Sequence, residues 1–280
     1  MSSERDDKRT IEILERKCTA LQAELDTVKI EQANYLQNIS HQLVAPLNAI
    51  KWHIENLTSG RMTNIDRAKK VMRSVYSQST IAVHLAKNFA LMSNLEGDHA
   101  LTALKEPLQP VSLCRLAINL ADDFQPLGWD KEIDIAVDKT NFETASEVLV
   151  MKPLINQVLS NVIENAVKYS NPGSKILIGG KYNKDHDSVS VVIRNHGIPL
   201  PAQVADVFKR GYRSDSAKNK YPAGTGFGLF IAKRIVEIHE GTISAQMLGR
   251  DEVVFTITLS VRGLEGKARF REPKNRSSRR

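Results

Sequence analysis

From Ile11 onward, apolar side chains return at alternating steps of three and four residues. They are Ile11, Leu14, Cys18, Leu21, Leu25, Val28, Tyr35 and Ile39, with Gln32 the clear polar break. Charged residues fill the intervals. This is the seam of a coiled coil. A parallel dimer accounts for it better than one amphipathic helix packed on its own domain, because the pattern runs unbroken into the next segment. It continues through Leu43, Leu47, Ile50, Ile54 and Leu57 until Ser59-Gly60 stops it. A second helix is predicted from about Asn64 to Leu95, with Ile65, Ala68, Met72, Val75, Ala82, Ala86 and Phe89 as its stripe. One hairpin cannot bury both stripes. The pattern therefore predicts an antiparallel helical hairpin that pairs with a second copy into a dimeric four-helix bundle.

Past Gly97-Asp98 and the prolines at 107 and 110, the period changes. Short β-rich runs appear at 132–137, 147–150, 175–179, 188–194, 242–247 and 253–261. Helical runs lie between them at 113–124, 153–169 and 228–239. Strands and helices mixed without strict alternation predict an α+β two-layer sandwich. The expected organisation is a coiled coil over 1–35, a helical hairpin over 36–97, a linker over 98–107, an α+β domain over 108–264 and a tail over 265–280.

Charge changes this picture less than its total suggests. The chain of 280 residues carries a formal +7, but residues 267–280 hold seven Lys or Arg against one Glu. The rest of the chain is nearly neutral. A solvated basic tail is the main reading, with contact to anionic lipid or a partner as the minor one. No nucleic-acid partner is expected. Cys18 and Cys114 have no metal-ligand or disulfide-framework spacing, so a reducing compartment is the default. No run of about 18 apolar residues predicts a membrane span, and the polar start predicts no signal peptide.

Three segments carry chemistry. The first is Ser40-His41-Gln42-Leu43-Val44-Ala45-Pro46-Leu47. The second has Asn161 and Asn165 four residues apart, followed by Lys168 and Tyr169. The third is Gly224-Thr225-Gly226-Phe227-Gly228-Leu229. Each alone is weak. In this order and at these separations they resemble the phosphoacceptor-histidine box, the Asn box and the second Gly-rich box of sensor histidine kinases. The stretch from Asn195 through Gly197 to Pro201 is similar to the family's first Gly-rich box. Val207 to Arg213 is similar to its Phe box. The resemblance covers about residues 30–262 and implies a Bergerat-type ATP-binding fold, shared with gyrase- and chaperone-type ATPases, for the C-terminal domain.

The resemblance implies a role for each residue. His41 is the phosphoacceptor; an imidazole, with an ordinary pKa of about 6.5, is mostly neutral near pH 7 and can attack phosphorus directly. Gln42 stands where the family commonly has an acid and is expected to orient the ring through its carbonyl. Ala45 stands where Thr or Asn is common, at a position tied to phosphatase activity. Asn165 is the Mg²⁺ ligand, completing an ion held mainly by phosphates and water. Asn161 replaces the water-activating Glu of the related ATPases, which favours transfer to histidine over hydrolysis. Lys168 pairs with phosphate and Tyr169 lines the nucleotide pocket. Asn195 accepts from the adenine amino group in place of the usual Asp, beside Gly197; Pro199 replaces a second Gly. Arg210 and Arg213 are candidates to neutralise phosphate charge. Gly224, Thr225, Gly226, Phe227, Gly228 and Leu229 let the backbone approach the phosphates at a helix N-terminus. Residues 214–223 are read as a mobile polar lid over the ATP site.

The expected protein is the cytoplasmic, homodimeric core of a sensor histidine kinase that uses ATP and Mg²⁺. It passes phosphate from His41 to an Asp of a separate response regulator. Family members often carry an upstream membrane sensor, so a longer, membrane-anchored protein fits this reading. Gln42, Ala45 and Asn195 keep open a pseudokinase that binds a regulator without turnover. A gyrase- or chaperone-type ATPase is opposed by the missing catalytic Glu and by the His41 helix.

Overall fold

A computed structural model describes residues 2–59, 64–95, 107–140, 142, 147–222 and 224–263. The predicted stop at Gly60, most of the linker and the basic tail lie outside them. The chain divides into two compact units, Met1–Ala45 and Pro46–Arg280.

A single helix, α1 (Ser2–Thr58), contains every described residue of the first unit and runs on through Pro46. Within the first unit, Leu14, Cys18, Leu21 and Leu25 of the predicted seam are exposed.

In the second unit, α2 (Ile65–Leu95) pairs with the last turns of α1. His53 Nε2 and Ser74 Oγ are 2.8 Å apart across that pair. Of the stripe predicted for α2, Ile65, Met72 and Ala86 are exposed, Ala82 is buried and the rest are half-buried. His84 and Met92, outside that stripe, are buried as well. The buried side packs against the C-terminal domain.

That domain begins with β1 (Gln109–Val111) and α3 (Leu113–Gly128), whose N-cap Ser112 accepts from the Arg115 N–H at 3.4 Å. Next come β2 (Asp134–Val137), β3 (Val148–Val150), α4 (Lys152–Tyr169), β4 (Lys175–Asn183) and β5 (Ser188–His196). A six-residue helix, α5 (Asp215–Lys220), precedes α6 (Gly228–Ile238). The strands β6 (Thr242–Leu248) and β7 (Glu252–Ser260) close the described chain. The main sheet has the order β2-β4-β5-β7-β6, parallel at β2–β4 and antiparallel elsewhere. β1 and β3 make a separate antiparallel pair.

Helices α3, α4 and α6 cover one face of the main sheet. Alternation along the strands makes that face apolar: Ile176, Ile178, Val189, Val191, Ile193 and Ile257 are fully buried. They meet Ile155, Val158, Val162, Ile231 and Ile235 from the helices, so the core lies between the two layers. Two polar ties fix this stacking. The Gln125 side chain donates to the Ile133 carbonyl at 2.8 Å and accepts from the Ile135 N–H at 2.9 Å, pinning β2 to α3. His239, at the end of α6, accepts from the Met151 N–H through Nε2 at 3.1 Å. Its Nδ1 donates to the Ile235 carbonyl at 2.8 Å.

Candidate functional site

Pro153 pre-sets the first turn of α4. Gln157, Asn161 and Asn165 then follow at steps of four, which places all three amides on one face. Gln157 and Asn161 are buried, and Asn165 is half-buried. A cavity of about 120 Å³ opens beside this face. Asn165, Lys168 and Tyr169 line it from α4, and Asn195 lines it from β5. Gly224, Thr225, Gly226, Gly228 and Leu229 form another wall, and Arg213 a third. The structure thus brings together the Asn box and both Gly-rich boxes.

Six of the expected residues stand outside the lining. Asn161 lies beneath Gly228, where an added methyl would come within 3.5 Å of Asn161 Oδ1. Gly197 packs its bare Cα on the Tyr169 carbonyl, which also accepts from the Ile198 N–H at 3.3 Å. Arg210 and Phe227 are not among the walls. His41 and Gln42 belong to the first unit, where His41 is exposed. Gln42 Oε1 is buried and accepts no hydrogen bond, so it does not orient the His41 ring as expected. Adjacent residues on a helix diverge by about 100°, which sets the two side chains on different faces.

The glycines answer to local geometry. Gly226 has φ +75°, where a side chain is strained, and its Cα faces the Gly211 and Tyr212 backbone. The Phe227 N–H donates to Thr225 Oγ1 at 3.2 Å. The free N–H groups at the start of α6 are therefore those that follow it.

Electrostatics gather at the end of α4. Lys168 Nζ lies 2.9 Å from Glu164 Oε1 and 5.0 Å from the centre of the Tyr221 ring. Burial alone would lower the Lys168 pKa, but the Glu164 carboxylate and the two tyrosines outweigh it and the net shift is upward. Lys131 Nζ donates to the Val167 and Lys168 carbonyls at 3.1 and 2.8 Å. Lys220 Nζ donates to the Tyr169 carbonyl at 3.0 Å. Two ammonium groups thus complement the negative end of α4. Burial lowers the pKa of both, with neighbouring lysines adding to the effect at Lys131.

Comparison with known proteins adds the decisive observation. Residues 152–263 match the family of histidine kinase-, DNA gyrase B-, and HSP90-like ATPases. The chain is 29% identical over 231 residues to the sensor histidine kinase WalK of Bacillus subtilis, covering 82% of this chain and 36% of that protein. It is 26% identical over 239 residues to the histidine protein kinase SaeS of Staphylococcus epidermidis, covering 85% and 65%. The chain is homologous to sensor histidine kinases. It spans about a third to two thirds of the length of these relatives. In fold it resembles the histidine kinase AdeS of Acinetobacter baumannii, with a TM-score of 0.51 at 21% identity over 79% of this chain and 98% of that one. It also resembles full-length ShkA, solved with AMPPNP, with a TM-score of 0.53 at 18% identity over 81% and 46%.

Against the histidine kinase pattern, the lid segment holds a surprise. The stretch expected as a mobile polar loop contains α5, capped by Ser214 accepting from the Ala217 N–H at 3.2 Å. Arg213, a candidate to neutralise phosphate charge, donates to the carbonyls of Ala217 at 3.1 Å, Pro222 at 2.8 Å and Tyr221. It caps this short helix while lining the cavity. Sequence reasoning also missed Leu85, Asn88, Glu164, Ile198 and Tyr212, which line the same cavity. Glu164 was legible as the i−4 partner of Lys168. Leu85 and Asn88 come from α2, and only tertiary packing brings them here. No described helix is long and apolar enough to cross a membrane.

Proposed function

We propose that this chain is the kinase core of a sensor protein. It binds ATP between α4, β5 and the Gly224–Leu229 segment, phosphorylates His41 and hands the phosphoryl group to an Asp of a separate response regulator. The observation that carries this reading is the single cavity lined by Asn165, Asn195 and the Gly-rich segment. AMPPNP in ShkA, a protein of the same fold, supports a nucleotide as the occupant.

The chemistry follows from these groups. The lone pair of a neutral His41 ring nitrogen attacks the γ-phosphorus. A nitrogen–phosphorus bond forms and the bond from that phosphorus to the β–γ bridging oxygen breaks. ADP leaves with the electron pair, and the other ring nitrogen releases its proton. The α6 N-terminus offers its N–H groups to phosphate oxygens. Asn161 is an amide and cannot deprotonate water, so hydrolysis has no general base at that position. Asn165 offers one oxygen to a divalent ion. Among the described residues, no three His, Cys, Asp or Glu side chains converge as a metal site. Mg²⁺ fits here held by Asn165, phosphates and water, and when bound it neutralises phosphate charge.

The test is incubation with γ-labelled ATP and Mg²⁺. Wild type is expected to take up acid-labile label and His41→Gln none, with ATP affinity nearly unchanged. Persistent acid-labile label on His41→Gln overturns the assignment. A second reading, a regulator-binding dimer without turnover, is favoured by the unpartnered Gln42 carbonyl and by Asn195 in place of an acid. Nucleotide binding without label on wild type would select it.

A further inference from the structure

Helix α2 contributes a wall to the nucleotide cavity. Leu85 and Asn88 line it together with Asn165, Gly224 and Gly228. Asn88 is held there by a chain of buried polar groups. Its Nδ2 donates to Asn161 Oδ1 at 2.8 Å, and its Oδ1 accepts from Gln157 Nε2 at 2.8 Å. His84 Nδ1 lies 3.3 Å from the same Gln157 nitrogen. His84, Gln157 and Asn161 are all buried. A paired network out of water is directional, and removing one member strands the others.

This contact lies at one end of the site. Asn161 sits beneath Gly228, which opens α6. The N–H groups there are the natural seat of a phosphate chain. Asn195 and Ile198 form a different wall. Size points the same way. The cavity measures about 120 Å³, whereas sites that enclose small-molecule ligands run from about 300 to 1,000 Å³. A nucleoside triphosphate needs a wall to withdraw. The sheet and α4 form the core and cannot yield, which leaves α2 and the segment from Arg213 to Gly226 as walls that can withdraw; of these, α2 is the one tied to Asn161 beneath Gly228.

We propose that α2 is a cover on the triphosphate end of the nucleotide site, latched through Asn88, and that α2 docking and Mg·ATP binding exclude one another. This rests on the nucleotide reading above. It makes Asn88 a gating residue, since it acts on the ligand through the position of its helix. Loss of the latch is then expected to favour ligands that carry phosphates over those that do not.

The test uses the full chain and calorimetry with Mg·ATP and with adenosine. Asn88→Ala removes two hydrogen bonds and is expected to bind Mg·ATP about tenfold more tightly than wild type. Adenosine affinity is expected to be nearly unchanged. Hydrogen exchange on wild type supplies a readout free of any mutation. Amides of residues 81–92 are expected to exchange faster with saturating Mg·ATP and not with adenosine. Equal or weaker Mg·ATP binding by Asn88→Ala overturns the cover, as does slower or unchanged exchange in α2. An equal gain for adenosine overturns its placement at the phosphate end. No Mg·ATP binding by either protein overturns the nucleotide reading itself, a result distinct from binding without a gain.

Discussion

His239 shows how one side chain can couple packing to pH. Its Nε2 accepts a hydrogen bond from the Met151 N–H, so that nitrogen carries no proton, and its Nδ1 donates to the Ile235 carbonyl. Only one neutral tautomer satisfies both. Burial lowers its pKa, against a smaller upward pull from the Ile235 carbonyl. His84 is lowered too, first by burial and then by Lys87 and Lys168, with Glu164 pulling the other way. The sign follows: a folded-state pKa below the unfolded value leaves stability intact above about pH 6.5. Below it the unfolded chain takes up protons first, and stability is lost as pH falls toward the folded value. Each imidazole that burial holds neutral thus makes the fold less stable as the pH falls. Urea unfolding at pH 7.5 and 5.5 measures it, and His239→Gln is expected to reduce the difference; an unaltered pH dependence in that variant would remove His239 from the account. At this scale the sequence reveals residue type better than partner. Asn161 and Asn165 were legible because their spacing fixes a shared face. Lys168 was legible as a cavity residue, but its pairing with Glu164, a carboxylate one turn away on which its ammonium rests, was missed.

At the scale of elements, strong periodicity was readable and short or shared pieces were not. Helices α3, α4 and α6 and most main-sheet strands fall close to their expected ranges, because each buries a regular apolar face. β1 has three residues and contains Pro110, too few for a pattern and partnered only by β3. α5 lies in polar sequence and exists by capping, from Ser214 at one end and Arg213 at the other. The buried side of α2 was hidden for another reason. It carries His84 and Asn88, whose polarity removes them from any hydrophobic stripe, while their partners lie about seventy residues away. One glycine links these elements directly. Gly197 joins the end of β5 to the end of α4 through its bridge with Ser170, and a Cβ there would strike the Tyr169 carbonyl backbone. Neither strand nor helix can yield without disturbing the core. Gly197→Ala is expected to destabilise the domain by more than about 1 kcal/mol and to weaken nucleotide binding through displaced Tyr169. Thermal unfolding and calorimetry check both effects, and a wild-type melting point with unchanged affinity would show that this junction is not tight.

The whole molecule leaves apolar surface that its own fold does not cover. In the first unit, Leu14, Leu21, Leu25 and Ile30 are more than half exposed. In the second unit, Ile65, Met72 and Val83 are more than half exposed, as are Leu47 and Trp52 of α1. Isolated exposed apolar residues are ordinary, but recurrence at helical spacing along α1 is not. The C-terminal domain takes up the side of α2 that carries His84 and Asn88. Its other side, with Ile65 and Met72, and the exposed seam of α1 remain uncovered, the surface that pairing with a second copy would bury. Burying one such leucine contributes about 1.5–3 kcal/mol, so a few in each subunit are enough for micromolar association. Sedimentation equilibrium is therefore expected to give a dimer at micromolar concentration. Leu21→Glu and Met72→Glu each place a charge in that contact, and each is expected to weaken the dimer at least tenfold. The two positions test different units of the chain, so a loss at Met72 alone would assign dimerisation to the helical hairpin. A loss at Leu21 alone would assign it to the coiled coil. A wild-type monomer at these concentrations would contradict the dimer altogether, and the exposed stripe would then need a different partner.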